Sequence, residues 1–404
     1  HQVPESSAHP AFALVNPHRP DSRYPFRELA SVGLGFFLAA ALRTRLRATG
    51  VVNADLEVLD LLDLVAVGTI CDLMPLVREN RVLVTRGLRV LNARGRPGLA
   101  ALLQRAEVPG ERVVDAITVG WKVGPRLNAP GRMGDAQPAL ETLLAADDES
   151  AQKWAGVLEQ ANHQRRAIAD ETQRQAVELA EAQRDRAGLC VAREGWLHGV
   201  VGIVAARLTE AFLRPAAVVA VEAGGKTGRG SVRSVPGVDV YRALERCQPY
   251  LLRFGGHAQA AGFTVAGAQL PVFAAAFADA VAEQTSGLPL ARGLEVDAEI
   301  PLSAIDDRLA IELGRLAPFG QGNRDPVVAV RAARVLASRR VGDGSHLKLT
   351  LEKDGQQRGA IAFRMGARDP GAGALVDVAC FPQISRWQGR EQVELYVHDF
   401  RPTV

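Results

Sequence analysis

The chain has 404 residues, 47% of them hydrophobic, which is enough for two or three domains with ordinary cores. A formal net charge of +3 permits a polyanionic partner without indicating one. The four cysteines, at positions 71, 190, 247 and 380, form no close pair, which argues against a zinc site or a disulfide framework and favours a reducing, cytoplasmic environment. No apolar run reaches about eighteen residues, so no membrane span is predicted. No signal peptide is recognisable. Because the first residue is His1 and not methionine, we expect the natural N-terminus to lie upstream.

The first 150 residues contain several predicted helices. Apolar positions recur at helical spacing in residues 31–48, 80–93 and 136–146, and residues 58–69 form a further helical or mixed segment. A short apolar run at residues 11–15, which ends at an Asn-Pro pair, predicts a buried strand.

Asp72 is a single acidic residue in an apolar stretch between Gly68 and Pro75. A carboxylate is costly to bury unless it is paired with a cation or bound to a metal ion. A metal ligand is therefore one interpretation of Asp72. A helix cap or a surface turn is the other, and the residues by themselves favour it.

Residues 124–133 combine two arginines and an asparagine with small residues and prolines. The pattern predicts a loop in which Arg126 and Arg132, beside Asn128, direct their guanidinium groups at phosphate. A solvent-exposed connector is the alternative.

Residues 151–187 predict one long helix without a proline. Its apolar side is expected to consist of Trp154, Val157, Leu158, Ala161, Ile168, Val177 and Leu179. We expect this helix to act as a strut between two domains. Two shorter helices broken near Gly156 are the alternative.

A mixed α/β domain is predicted from residue 188 onwards, because apolar strands at residues 189–192 and 216–221 alternate with helical segments. Residues 228–234 form a glycine-rich segment within it. Arg229 and Arg233, together with Ser231 and Ser234, place hydrogen-bond donors on what the glycines predict to be a flexible loop.

A second glycine-rich segment spans residues 253–263. Gly255, Gly256 and His257 predict a loop at the start of a helix, in which backbone amides hold an anion. The alternative is a tight turn before a buried helix, with His257 as a core histidine.

The pattern changes again near residue 294. Short β-type runs, separated by turns and one inserted helix at residues 309–316, predict a small barrel. The predicted strands are residues 294–300, 327–336, 346–352, 358–363, 374–383 and 392–400.

Six motifs occur in a fixed order along the chain. They are residues 22–26, Gly68-Thr69 with Asp72 and Pro75-Leu76, residues 124–132, residues 198–203, residues 228–234, and Gly255-Gly256-His257 with Ala260-Ala261-Gly262. As an ordered set they resemble the bacterial RecJ nucleases, a family of the DHH phosphoesterase superfamily, and the resemblance covers essentially the whole chain. Residues 1–5 resemble the end of the family's Asp-His-His signature, with His1 as its last histidine. We therefore expect the N-terminal part of the DHH domain to be missing.

The resemblance implies an α/β fold with three domains. A DHH phosphoesterase domain is joined by a long helix to a smaller DHHA1 α/β domain, and an OB-fold β-barrel lies at the C-terminus. The expected bounds are residues 1–150 for the C-terminal part of the DHH domain, 151–187 for the linking helix, 188–288 for the DHHA1 domain and 289–404 for the OB-fold.

The resemblance also implies a metal-dependent 5′-to-3′ exonuclease that degrades single-stranded DNA to nucleotides in DNA repair and recombination. Two Mn²⁺ or Mg²⁺ ions would form the metal site, with Asp72 and His1 among the ligands. His257, together with Gly255 and Gly256, would contact the scissile or the adjacent phosphate.

Other residues receive DNA-binding roles from the same resemblance. Ser231 and Arg233 would hold phosphate, at the 5′ end of the strand. Arg126, Asn128 and Arg132 would orient loops or contact DNA.

The barrel would follow the strand with Arg339, Arg340, Lys348, Trp387 and Arg390, although a purely structural barrel is the alternative. Single-stranded DNA is the expected partner, with a single-strand-binding protein and a helicase as further candidates and a monomer as the expected state.

Two other functions stay open at this point. One is a phosphodiesterase of the same superfamily that acts on short oligonucleotides or cyclic dinucleotides, against which the barrel and the long helix argue. The other is a catalytically inactive, metal-free fragment that binds single strands, which the missing upstream aspartates favour.

Overall fold

The structure is a computed structural model that describes residues 11–50, 57–285, 293–387 and 390–403, with the side chains of residues 386–390 outside the description. His1 and the side chains of Trp387 and Arg390 therefore lie outside the described residues. The chain divides into two compact units. Residues 1–93, 113–120 and 293–404 form the first unit, and residues 94–112 and 121–292 form the second.

The helices, in chain order, are α1 (Ser31–Ala48), α2 (Leu62–Cys71), α3 (Arg78–Asn92), α4 (Pro97–Arg105), α5 (Ala116–Thr118), α6 (Gly124–Met133), α7 (Gln137–Leu144), α8 (Asp148–Glu181), α9 (His198–Phe212), α10 (Val240–Arg246), α11 (Leu270–Thr285) and α12 (Asp307–Gly314). Short 3₁₀ turns lie at Val58–Leu61, Gln248–Tyr250, Gly267–Gln269, Leu302–Ala304 and Gly366–Arg368, and a π-helical turn at Val119–Val123. In the part of the chain that the structure describes, no helix combines the length and the apolar character needed to cross a bilayer.

The strands are β1 (Leu189–Glu194), β2 (Ala216–Val221), β3 (Thr227–Arg233), β4 (Leu251–His257), β5 (Ala260–Ala266), β6 (Ala298–Glu299), β7 (Val328–Val341), β8 (His346–Lys353), β9 (Gln356–Ala362), β10 (Leu375–Trp387) and β11 (Arg390–Pro402). The first five belong to the second unit and the others to the first unit. The strand predicted at residues 11–15 is wrong, because these residues form a bend and extended chain that is largely exposed.

The helical part of the first unit depends on close contacts at two glycines. A Cβ atom at Gly87 of α3 would lie 2.1 Å from the carbonyl oxygen of Leu62 in α2. A Cβ atom at Gly68 of α2 would lie 2.7 Å from Cγ1 of Val32 in α1. Bulkier residues would push these helices apart, so the glycines fix how closely α1, α2 and α3 pack.

The same unit contains the barrel. Its sheet has the strand order β10-β11-β9-β8-β7-β6, and the further pairing of β10 with β7 closes the sheet on itself. Apolar side chains at alternate positions, such as Leu347, Leu349 and Leu351 of β8, fill the interior. The closed barrel confirms the predicted OB-type fold.

A mixed sheet of strand order β1-β2-β3-β5-β4 organises the second unit. β1 and β2 are parallel, and the other neighbours are antiparallel. Residues of α10 and α11 pack with Phe263 and Val265 on one face of the sheet. Helices α8 and α9 cover β1 and β2 on the opposite face. This arrangement confirms the predicted α/β domain.

Helix α8 is continuous through Gly156 and begins at an N-cap, where Asp147 accepts a hydrogen bond of 2.8 Å from the Ser150 amide. Its predicted apolar face is wrong at Val157 and Leu179, which are exposed, and is confirmed at Leu158, which is buried. The buried positions are mostly small and include Ala151, Ala155, Leu158, Asn162, Arg165, Ala169, Thr172, Ala176 and Ala180. They face α4, α6, α7, α9 and β1, so α8 packs against other elements along its length.

We expect Gly87→Ala to lower the free energy of unfolding by about 2 kcal/mol or more, because the new methyl group meets the α2 backbone. Gly35→Ala in α1 is the matched control. Beyond its chain neighbours, no described atom lies within 4 Å of a Cβ at Gly35, so alanine should stabilise the exposed helix by about 0.5 to 1 kcal/mol. Urea unfolding of both variants measures the difference, and equal midpoints would contradict the packing argument.

Candidate functional site

One face of the second unit's sheet is open over β4 and β5 and is bordered by α9 at β3, and we call it the open face. The antiparallel registers align its residues in cross-strand rows, whose members point to the same side. The rows are Arg229–Thr264–Arg253, Ser231–Gly262–Gly255 and Arg233–Ala260–His257. Two basic rows therefore flank a middle row of serine and glycine.

Both glycine-rich segments were predicted as loops, and this prediction is wrong. Residues 228–233 belong to strand β3, and residues 253–263 form the hairpin of β4 and β5, with no helix start. Glycine weakens a strand, but it also occurs in strands where a ligand or a backbone approaches closely. The residues predicted to bind an anion from loops therefore lie on the surface of a sheet.

Gly255 and Gly256 have different physical reasons for being glycine. Gly256 has a φ of +145°, and a Cβ there would lie 2.5 Å from the Cα of Ala261, so the hairpin itself requires glycine. At Gly255, by contrast, a Cβ would meet no atom of the described residues within 4 Å apart from its chain neighbours. The fold does not require glycine at 255, so the open space above it is available to a ligand.

A cavity of about 340 Å³ opens at this place, lined by His198, Arg229, Arg253, Gly255 and Gly262 among others. Burial lowers the pKa of the His198 imidazole, and the nearby Arg229 guanidinium lowers it further. Arg253 donates a hydrogen bond of 3.2 Å to the Thr264 hydroxyl. The cavity is therefore polar and lined with basic groups, which suits an anion.

Helix α9 begins against the last turn of α6. A Cβ at Gly199 would lie 2.0 Å from the carbonyl oxygen of Arg132, while Arg132 Nη1 donates a hydrogen bond of 3.1 Å to the Gly199 carbonyl. One turn later, a Cβ at Gly202 would lie 3.0 Å from Arg233 Nη2 and 3.2 Å from Ser231 Oγ. The two glycines thus allow Arg132, Ser231 and Arg233 to approach one another.

The arginines of this cluster lie where burial and nearby positive charge disfavour their charged form. Arg233 Nη1 donates a hydrogen bond of 2.7 Å to Ser231 Oγ. Burial lowers the pKa of Arg233, and the neighbouring Arg132 lowers it further. Burial also lowers the pKa of Arg132, although much of its surface is accessible. A bound anion would relieve this repulsion.

Residues 124–133 form helix α6, so the predicted loop is wrong here too. Arg126 is paired with Glu159 of α8, with contacts of 2.5 Å from Nε and 3.1 Å from Nη2. This ion pair favours an orienting role for Arg126. Asn128 is exposed on the helix, and its contact with DNA stays a prediction.

In the first unit, Asp72 is the exposed C-cap residue of α2. The amide of Leu73 donates to the Ile70 carbonyl at 3.1 Å, and the amide of Met74 donates to the Thr69 carbonyl at 3.1 Å. Leu73 adopts a φ of +55°, a conformation that glycine usually supplies at this position. The carboxylate thus lies at the negative end of the helix dipole, where a cation is favoured.

The chemistry of Asp72 fits a hard divalent cation, which prefers carboxylate oxygen. Within the described ranges, however, no group of three or more His, Cys, Asp or Glu side chains could hold a metal ion. Asp72 can therefore supply one ligand but does not form a site with the other described residues. It occupies the place of a helix cap, and its role as a metal ligand stays a prediction, as does that of His1.

The barrel carries a strip of rings on its outer surface, formed by His346, Phe363, Tyr396 and His398, which we call the aromatic strip. Successive ring centroids are 5.0, 5.4 and 5.5 Å apart. Phe363 is 44% exposed, so one ring face is open to solvent.

Basic residues lie beside the aromatic strip. Arg339, Lys348, Ile361 and Tyr396 are aligned across β7, β8, β9 and β11. Arg339 and Arg340 are exposed, whereas Lys348 Nζ lies 3.3 Å from a carboxylate oxygen of Glu394.

Comparison with known proteins identifies the barrel and the α/β domain of the second unit. A family model for the DHHA1 domain matches residues 186–283, and one for the RecJ OB domain matches residues 296–399. The chain is 34% identical over 396 residues to the single-stranded-DNA-specific exonuclease RecJ of Bacillus subtilis, covering 96% of this chain and 48% of that protein. It is 35% identical over 420 residues to the protein of the same name from Dickeya dadantii, covering 100% of this chain and 72% of that one.

A solved structure agrees with the sequence relatives. The crystal structure of RecJ from Thermus thermophilus in complex with Mn²⁺ superposes with a TM-score of 0.79 at 31% identity, covering 95% of this chain and 55% of that one. The matches define a chain that contains a DHHA1 domain and an OB domain. It belongs to the RecJ family, and it spans about half the length of the Bacillus subtilis and Thermus thermophilus relatives.

Several residues of the site were missed from the sequence. Arg253 of the open face was given no role, whereas Arg229 was predicted as a hydrogen-bond donor but on a loop. A period of two over residues 228–233, with glycine or valine alternating with polar residues, could have revealed the strand. Phe363 and Tyr396 are distant in sequence, and only the strand register brings them together.

We expect Gly255→Ala to leave the free energy of unfolding within about 0.5 kcal/mol of wild type, because its methyl group meets no packed atom. The same methyl group occupies the space above the middle row, so affinity for a single-stranded oligonucleotide should fall about tenfold. Gly256→Ala is the contrasting variant and should destabilise the chain itself. Unchanged oligonucleotide affinity in Gly255→Ala would exclude a ligand at this place.

Proposed function

We propose that the protein is a metal-dependent exonuclease that degrades single-stranded DNA from the 5′ end to nucleotides, in DNA repair and recombination. The observation that carries the proposal is the cluster of Arg132, Ser231 and Arg233 beside the open face, in a chain of the RecJ family. Guanidinium groups and a hydroxyl form charge-assisted hydrogen bonds to phosphate oxygens, and forked contacts from arginine suit them especially well.

The 5′-to-3′ direction follows from which phosphate this cluster prefers. A terminal phosphate carries between one and two negative charges near neutral pH, whereas an internal phosphodiester carries one. A cluster of mutually repelling arginines gains most from the more highly charged group. Binding of the 5′-terminal phosphate by Ser231 and Arg233 would fix which end of the strand is cut.

His257 and Asp72 have separate roles in this proposal. The exposed His257 imidazole, at the end of the row that Arg233 begins, contacts a phosphate oxygen and stabilises negative charge that develops there. Asp72 and His1 contribute ligands to a site for Mn²⁺ or Mg²⁺. When bound, such ions polarise the phosphate and lower the pKa of water.

The barrel, in this proposal, binds the strand ahead of the cut. Single-strand-binding OB-folds combine basic residues along the backbone with rings on which bases stack. Arg339 and the exposed face of Phe363 supply both elements on the same outer surface. The aromatic strip thus adds a stacking candidate to Trp387, whose side chain lies outside the described residues and whose role stays a prediction.

In the full-length natural protein, Asp72→Ala should abolish Mn²⁺-dependent release of nucleotides from single-stranded DNA while leaving the unfolding midpoint unchanged, since Asp72 is exposed. Asp354→Asn, which alters an exposed acid in the turn between β8 and β9, is the matched control and should keep full activity. Retained metal-dependent cleavage by Asp72→Ala would refute its role. Binding without cleavage by wild type would favour the inactive single-strand binder.

Phe363→Ala should weaken binding of oligonucleotides longer than about sixteen nucleotides at least tenfold, because one stacked base contributes roughly 1–3 kcal/mol. Binding of di- or trinucleotides should be unaffected, since they do not need the barrel. Leu336→Ala, which removes an equally exposed apolar side chain from β7, controls for surface hydrophobicity. Equal losses for long and short substrates would count against strand binding by the barrel.

A further inference from the structure

Helix α8 buries a charged residue among small apolar ones. Arg165 is 9% exposed and Asn162 is 1% exposed, midway along the buried face of the helix. Arg165 Nη2 donates a hydrogen bond of 2.5 Å to the Asn162 amide oxygen. An amide oxygen satisfies one donor of the guanidinium but does not neutralise its charge.

The charged groups near Arg165 are mainly positive. α8 packs against α6 and α9, which carry Arg132 and Arg207. Arg207 Nη1 is paired with Asp170 at 2.7 Å, so the nearby acid is already engaged. Burial lowers the pKa of Arg165, and Arg166, Arg132 and Arg207 lower it further, against the opposing effect of Asp170.

A buried charge without a partner is normally strongly destabilising. Folding alone gives no reason to place a cation here, since an apolar side chain of similar length would fill the same space. The charge becomes useful when an anion binds nearby, because attraction through a poorly solvated interior is screened much less than through water. Arg132 is the group through which such an anion would be reached, since Arg132 hydrogen-bonds to Gly199 of α9 and Arg233 lies beside Gly202 of the same helix.

We propose that Arg165 is a positioning residue of the phosphate site: from within α8 it repels the Arg132 guanidinium towards the ligand and adds positive potential to the place where Arg132, Ser231 and Arg233 bind a terminal phosphate. The inference rests on the proposed function and extends the site by one residue that does not itself touch the phosphate.

The test uses the full chain with EDTA, so that no cleavage occurs, and compares a 5′-phosphorylated oligothymidylate of about ten nucleotides with its unphosphorylated twin. Arg165→Met should reduce the preference for the phosphorylated strand about tenfold. Arg165→Lys, which keeps the charge, should restore most of it. Arg166→Met removes the same charge from the exposed neighbouring position and should change the preference little.

Unfolding measured without ligand separates this role from a structural one. Arg165→Met should unfold at the same or a higher urea concentration than wild type, because a repelled, buried cation is removed. A lower unfolding midpoint with an unchanged preference, or equal losses of preference in the Met and Lys variants, would overturn the inference. If wild type itself shows no preference for the phosphorylated strand, the proposed 5′-phosphate site fails; if wild type shows it and Arg165→Met keeps it, only the role of Arg165 fails.

Discussion

The close approach of α9 to α6 and β3 is the constraint on which the cluster of Arg132, Ser231 and Arg233 depends. Gly199 lets the start of α9 meet the backbone of Arg132, and Gly202 leaves room for the side chains of Ser231 and Arg233. Residues from two helices and a strand, about a hundred positions apart in sequence, converge because two side chains are absent. The cluster is thus specified by packing, and its chemistry follows from that packing.

The cluster of positive charge lowers the stability of the fold but favours the binding of an anion. Burial lowers the pKa of both Arg132 and Arg233, and the nearby Arg132 lowers the pKa of Arg233 further. A fold selected only for stability would separate these groups or pair them with acids, as it does for Arg126 with Glu159. Helix α6 thus carries both a neutralised arginine, Arg126, and an arginine of the unneutralised cluster, Arg132. This contrast supports the proposal that a ligand supplies the negative charge of the cluster.

Much of the architecture could be predicted from the sequence, because periodicity and turn residues are local signals. The helix at Ser31–Ala48, the strand at Ala216–Val221 and the barrel strands near the C-terminus appear where they were expected. The site was predicted less well. Glycine was taken to indicate loops, but tertiary pairing outweighs the weak strand preference of residues 228–233. The buried face of α8 was predicted correctly at Leu158 but missed at most other positions, because small residues and Arg165 form much of it, whereas hydrophobicity also pointed to the exposed Val157 and Leu179.

The glycines of the hairpin show how a structure separates the demands of folding from those of binding. Gly256 is fixed by its backbone angle and by contact with Ala261, so its identity says nothing about a ligand. Gly255, one residue away, is free of both constraints and lies in the exposed middle row. In the sequence motif alone, the two glycines cannot be distinguished. Geometry assigns one to the hairpin and the other to the surface, and only the second carries an argument about function.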